Sequence, residues 1–287
     1  MAKLNSLYPV IGFSTNVFDN PAEVEGIVDK ILLDFDAIEI EIEDDALERI
    51  AQASDKEYEL LCDTLKKKLL GLNHVSVHAP YLKKDTNLAA EDEGERALAI
   101  QKHELAIRFC HDINARFLTF HPGFNKPNKE VAMRQLLKSL DELVPYADKY
   151  NVALCLENMG NDRPKYLVFN AEEHIELHRD KGIYVTLDLV HLATWGLSYE
   201  ELMDRIKVYT PITRVVHFND MPENKHRHVP LGEGVLPMKA MLAQMKKCGY
   251  EGAAIVDEFS RPTSAEKYIE MTKTFVKELK SESGYVS

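Results

Sequence analysis

Val215-Val216-His217-Phe218-Asn219-Asp220 leads into Lys225-His226-Arg227-His228 and then Leu231-Gly232-Glu233-Gly234. An apolar β-branched run that ends in His-x-Asn-Asp and feeds a loop with two more histidines reads as a strand delivering metal-ligand side chains to one rim of a fold. Any one of these histidines taken alone reads more readily as part of a solvated polar loop after a buried strand. The other strands decide between the two readings.

Outward from this stretch, eight short β-rich segments alternate with longer amphipathic ones. The strands are expected at 10–14, 37–42, 74–78, 117–121, 152–157, 183–188, 214–218 and 253–258. Helices are expected at 21–33, 57–70, 95–110, 129–150, 171–179, 199–207, 238–248 and 265–279. Asn20 before Pro21 suits an N-cap followed by a proline at the first helical position. Gly71 and Gly249, each preceded by lysines, suit helix stops with cations at the negative end of the dipole. Strand–helix alternation calls for βα units and a parallel sheet, and eight units match a (β/α)8 TIM barrel of about 250 residues. A doubly wound open sheet would carry a Gly-rich phosphate loop after an early strand, and neither Gly12 nor Gly26 belongs to one. With no linker or low-complexity segment, a single domain over residues 1–287 is expected.

Hydrophobic residues make up 45% of the chain, enough for a sizeable core. No apolar run approaches the ~20 residues that span a bilayer, and the start lacks a signal-peptide apolar region, so a cytoplasmic protein is expected. Cys62, Cys110, Cys155 and Cys248 are scattered and read as reduced thiols rather than zinc ligands. A net charge of −12 argues against binding nucleic acid through overall charge, although bound divalent cations would offset part of it. Nothing in the sequence points to a protein partner.

Active sites of TIM barrels sit at the C-terminal ends of the strands. Strand three ends at His78 in Ser76-Val77-His78-Ala79-Pro80-Tyr81, and strand four at His121 in Phe120-His121-Pro122-Gly123. Strand five ends at Glu157, strand six at Asp188 with His191 close behind, strand seven at His217, and strand eight at Asp257-Glu258. Steps of about one βα unit place these residues on one rim. Imidazoles and carboxylates without thiolates suit divalent zinc, manganese or iron. Nine candidates (His78, His121, Glu157, Asp188, His191, His217, His226, His228 and Glu258) exceed what one ion can use. They imply two to three divalent transition-metal ions with a bridging carboxylate.

At these residues the chain resembles endonuclease IV, an apurinic/apyrimidinic endonuclease, within the wider xylose isomerase-like barrels that include sugar isomerases and epimerases. The resemblance implies a trinuclear site, with zinc first among the metals. His78 and His121 would hold one ion and share Glu157 with a second, which Asp188, His217 and Glu258 complete. His191, His226 and His228 would hold the third, His226 standing where the family has an aspartate. It also implies phosphodiester hydrolysis, as in DNA repair, with a metal-bound hydroxide attacking phosphorus. Glu157 would bridge, Glu258 would hold or deprotonate the water, and Tyr81 would lie near the substrate. The chain departs from the family in Tyr81-Leu82-Lys83-Lys84 and in Asp188-Leu189-Val190-His191. It departs again after strand two, where the DNA enzymes carry an arginine and this chain reads Glu39, Glu41, Glu43, Asp44, Asp45. Ala-Ile-Glu-Ile-Glu is closer to the sugar isomerases and epimerases. The alternative reading is therefore a sugar or sugar-phosphate isomerase or epimerase with one ion, in which Glu157 and Glu258 move a proton and Arg227 holds a substrate oxygen. The partner is accordingly DNA with abasic sites or a small phosphorylated or sugar substrate.

Overall fold

A computed structural model describes residues 7–17, 24–163, 165–223, 226–257 and 264–282. Eight parallel strands close into a barrel in sequence order, the last pairing with the first. They are β1 (Val10–Ser14), β2 (Ala37–Glu41), β3 (His74–His78), β4 (Phe117–Phe120), β5 (Ala153–Glu157), β6 (Tyr184–Asp188), β7 (Thr213–His217) and β8 (Ala253–Val256). Around them run α1 (Val24–Leu32), α2 (Asp44–Gln52), α3 (Asp55–Lys68), α4 (Glu93–Asp112), α5 (Lys129–Lys149), α6 (Ala171–Lys181), α7 (Leu189–Ala193), α8 (Tyr199–Tyr209), α9 (Met238–Lys247) and α10 (Ala265–Glu282).

The expected strands and most helices agree with these bounds to within two residues. The Asn20-Pro21 cap lies outside the described residues. Two helices, α2 and α7, are additional to those expected. The acidic run after strand two is not an open loop: Glu39 and Glu41 belong to β2, Glu43 precedes α2, and Asp44 and Asp45 form its first turn. Asp44 is buried beside Lys102 at 3.3 Å. Acidic groups at a helix start are favoured by the dipole, so the charge run marks an N-terminus.

Helix ends follow local chemistry. Ser54 with Glu57, Asn170 with Glu173 and Ser198 with Glu201 form capping boxes at the starts of α3, α6 and α8. Gly71 and Gly249 adopt φ near +90°, the left-handed conformation expected of helix stops.

The main core lies between strands and helices, and a smaller cluster fills the barrel floor: Ala37, Cys155, Val215, Ala253 and Ile255, with Phe117 and Tyr184 against them. These residues fix strand parity, because side chains two apart share a face. Above them the next inner layer is polar, with Glu39, Ser76, Thr119, Thr186 and His217 all fully buried. Gly12 lets β1 reach this interior; a Cβ there would stand 2.6 Å from the Ala37 carbonyl oxygen. Among the described residues no helix is long and apolar enough to cross a membrane.

Candidate metal centre

Glu157, the last residue of β5, lies at the centre of the rim and is 2% exposed. Its Oε2 is 2.9 Å from His121 Nε2 and 3.3 Å from His78 Nε2, and its Oε1 is 3.1 Å from His191 Nδ1 and 3.7 Å from His217 Nδ1. Burial alone would raise this carboxyl, but the imidazoles around it hold it well below the usual carboxylate range. It is an anion ringed by four imidazoles.

The strand ends bring together four sets whose donor atoms lie within 4.8 Å of one another: His78–His121–Glu157, Glu157–Asp188–His217, Asp188–His228–Asp257 and His191–His226–His228. Glu157 and Asp188 each belong to two sets. Eight of the nine expected ligands are thus brought together; Glu258 lies outside the described residues. Its neighbour Asp257 also reaches the site, with Oδ2 3.3 Å from His217 Nδ1 and Oδ1 3.9 Å from His228 Nδ1. Asp257 is not among the ligands expected from the sequence. Strand parity identifies it, since Ala253 and Ile255 face the interior and Asp257 continues their row.

Four of the candidate imidazoles have an acceptor at one ring nitrogen, which for His191 is the nitrogen that also lies 3.1 Å from Glu157 Oε1. His78 Nδ1 donates to the Ala79 carbonyl at 2.8 Å and His191 Nδ1 to the Asn158 carbonyl at 2.9 Å. His217 Nε2 donates to Glu39 Oε1 at 2.7 Å, and His226 Nδ1 to Asp162 Oδ1 at 2.7 Å. Such outer acceptors fix the tautomer and leave the second nitrogen's lone pair for a metal. Consistent with this, the second nitrogens His217 Nδ1 and His226 Nε2 are buried and make no hydrogen bond among the described residues, and neither do Asp188 Oδ2 and His121 Nδ1, the latter on the ring whose Nε2 meets Glu157. Buried polar atoms without partners are costly, and a cation fits this set of nitrogens and carboxylate oxygens.

Local structure explains how the ligands are delivered. Asp188 is both the N-cap of α7, with Oδ1 accepting the His191 amide at 2.6 Å, and a member of two ligand sets. A cap and a ligand are compatible because a carboxylate has two oxygens. Asn158 ties β5 to β6: its Oδ1 accepts the Asp188 amide at 2.6 Å and its Nδ2 donates to the Asp188 carbonyl at 3.0 Å. Asp220 folds the loop after β7, accepting the amides of Met221, Gly232 and Leu236 at 2.9 to 3.0 Å. A Cβ on Gly234 would collide with that carboxylate, which gives the Gly232-Glu233-Gly234 motif its reason. The stretch 215–220 therefore divides its work: His217 serves the site and Asp220 positions the loop that carries His226 and His228.

The Tyr81 ring packs against His121 with centroids 3.9 Å apart and planes 31° apart, and lies 5.2 Å from the His78 ring, so it borders the first set. Arg227 is half-buried between His226 and His228 in sequence. Glu39, within the strand expected at 37–42, is the buried partner of His217. Burial alone would raise its carboxyl, but the His217 charge and hydrogen bond, the His78 charge and the Ser76 hydroxyl lower it to about 2.

Comparison with known proteins agrees with this architecture. The family model for the xylose isomerase-like TIM barrel matches residues 32–278. An uncharacterised protein of Methanocaldococcus jannaschii is 25% identical over 231 residues, 74% of this chain and 78% of that one. The "Probable endonuclease 4" of Aquifex aeolicus is 30% identical over 191 residues, covering 61% of this chain and 66% of its own length. The Mycoplasma pneumoniae protein of the same name is 30% identical over 179 residues, 56% and 59%. The chain thus spans under two thirds of those endonuclease 4 relatives. Among solved structures, a D-tagatose 3-epimerase-like protein superposes with a TM-score of 0.74 at 24% identity, covering 95% of this chain and 99% of that one. A D-psicose 3-epimerase crystallised with D-fructose gives 0.74 at 19% identity, covering 96% and 98%. These likenesses establish the fold. With the family model spanning most of its length, the chain belongs to the xylose isomerase-like TIM barrel family.

Proposed function

We propose that this chain is a hydrolase of phosphodiesters that depends on two to three divalent metal ions, zinc first and manganese or iron as alternatives. The observation that carries this reading is the sharing of Glu157 and Asp188 among ligand sets. One ion takes four to six ligands, and shared carboxylates between closely spaced sets suit ions that bridge. When bound, such ions supply Lewis-acid polarisation of a phosphoryl oxygen and lower the pKa of water. Glu157 would hold neighbouring ions in register and Asp257 with His217 would orient water beside them. Tyr81 would border the substrate, and Arg227 would pair with a phosphate oxygen. Abasic-site DNA is the first substrate to try, supported by the endonuclease 4 relatives. Four free cysteines support a reducing, cytoplasmic setting.

Glu39 in β2 and the likeness to epimerase structures favour a second reading, a sugar or sugar-phosphate epimerase with one ion. That chemistry calls for two carboxylates free to exchange protons with carbon. Glu157, surrounded by four imidazoles, is poorly suited to that task. The two readings separate in assays of the zinc-loaded and manganese-loaded protein on an abasic-site duplex, a chromogenic phosphodiester and a panel of ketohexoses. Phosphodiester cleavage that falls at least about 100-fold in Glu157→Gln is expected, on the scale of a lost bridging ligand. Epimerisation of a ketohexose without any phosphodiester cleavage would overturn the hydrolase reading.

A further inference from the structure

We infer that Asp162 is a positioning residue for the His191–His226–His228 set, supplying from outside the imidazole the negative charge that this set lacks; the inference rests on the metal-centre reading above. The set consists of three neutral-ligand side chains, whereas the sets around Glu157 and Asp188 contain carboxylates. Three imidazoles bind a divalent ion with no charge compensation of their own. Asp162 stands directly behind one of them.

The geometry is specific. Asp162 Oδ1 lies 2.7 Å from His226 Nδ1, and an oxygen acceptor at that distance keeps the proton on Nδ1. His226 Nε2 is thereby the lone-pair nitrogen. It is buried, makes no hydrogen bond among the described residues, and belongs to the same set as His191 and His228. The rings of His191 and His226 are 5.1 Å apart, and those of His226 and His228 5.8 Å. Gly160 makes room for the arrangement, since a Cβ there would stand 2.7 Å from His226 Cε1. Arg163 Nε also points as a donor at His226 Nδ1, at 3.4 Å, and would favour the opposite tautomer, but the carboxylate contact at 2.7 Å is shorter and charge-assisted and sets the tautomer. Asp162 itself is 45% exposed at its side chain. It can be changed without opening the core, and a stabilising role for the fold gives no reason for its aim at His226.

A carboxylate bonded to a ligand imidazole makes it a stronger donor and reduces the entropy lost on coordination. Asp162 therefore makes the loop between β5 and α6 a contributor to metal affinity without touching the ion. It also accounts for His226 where the resembled enzymes carry an aspartate: the charge is kept and moved outward by one ring.

The test uses zinc-loaded full-length protein dialysed against graded chelator, with the ions retained counted by elemental analysis. Asp162→Ala is expected to release one ion at 10- to 100-fold lower chelator strength than the parent while the others stay. Asp162→Asn, which keeps an acceptor without the charge, should fall between the two. In a His226→Asp background, Asp162→Ala should have no further effect, because its ring partner is gone. A second readout needs no metal: nitrogen NMR of the chelated protein at neutral pH should show His226 as the Nδ1–H tautomer, and a tautomer mixture in Asp162→Ala. Unchanged release in Asp162→Ala together with an unchanged tautomer overturns the inference. So does the same loss in the His226→Asp background. A parent protein that holds no ion at the set, yet shows the expected tautomer and its loss, overturns the metal-centre reading while leaving the Asp162–His226 contact intact.

Discussion

His217 shows how much of this site is set by residues that never reach the rim. Its Nε2 is held by Glu39, whose Oε2 in turn accepts the Ser76 hydroxyl at 2.8 Å and the Thr119 hydroxyl at 3.1 Å. Thr119 continues to Thr186 at 2.8 Å. A buried carboxylate is costly unless fully hydrogen-bonded, and these three donors satisfy Glu39. It is an ionised brace from β2 to β7 beneath the ligands. Glu39→Gln keeps the shape and removes the charge, so the ion bound through His217 is expected to bind 10- to 100-fold more weakly while circular dichroism stays near that of the parent. Equal retention of all ions under chelator would contradict this role for Glu39. Asp257 makes a related prediction: Asp257→Asn should lower phosphodiester turnover by at least about 10-fold with the metal count reduced, because a neutral amide is a poorer ligand.

At the scale of elements, the barrel was legible because each strand and helix carried its own period and its own punctuation. Gly71, Gly249 and the strand ends from His78 to His217 could be read directly, since a glycine after a lysine-rich helix end and a polar residue closing an apolar run each carry a local cause. Asp257 and Glu39 could not. In Ala253-Ala254-Ile255-Val256-Asp257 every position before Asp257 is apolar, and only the partner strands decide which parity faces inward. Glu39 lies in the strand Ala-Ile-Glu-Ile-Glu, whose alternation does not say which row faces the interior; all five residues are buried. Asp162 lies in a loop whose meeting with His226 spans two βα units, a juxtaposition that only the closed barrel creates. The same closure makes Gly12 critical. A Cβ would meet the carbonyl carbon and oxygen and the Cβ of Ala37 at 2.6 to 2.7 Å, and backbone cannot yield as a side chain does. Gly12→Ala should therefore cost roughly 1–3 kcal/mol, the usual range for overpacking, read from the urea midpoint. A midpoint equal to the parent's would contradict the close packing of β1 on β2.

For the molecule as a whole, buried imidazoles away from the rim contribute to its response to acid. His74, His103 and His174 are buried, and burial pulls each down to about 4. Their folded values lie below the unfolded value of about 6.5, so between those limits the unfolded chain binds more protons. Stability must fall as pH drops through that window, by roughly 1.4 kcal/mol per pH unit for each imidazole. Melting in excess chelator should occur at lower temperature at pH 4.5 than at pH 6.5, and His103→Gln should narrow the gap; an unchanged gap would mean that His103 is not held neutral. The rim carries the larger consequence. Carboxylates and imidazoles gathered from six strands and the loop after β7 around Glu157 form a set of donors that cations would hold together. The most direct test is elemental analysis of protein purified without chelators and then reloaded with zinc or manganese. Two to three equivalents per chain are expected, and one equivalent or fewer after reloading would contradict the multinuclear centre.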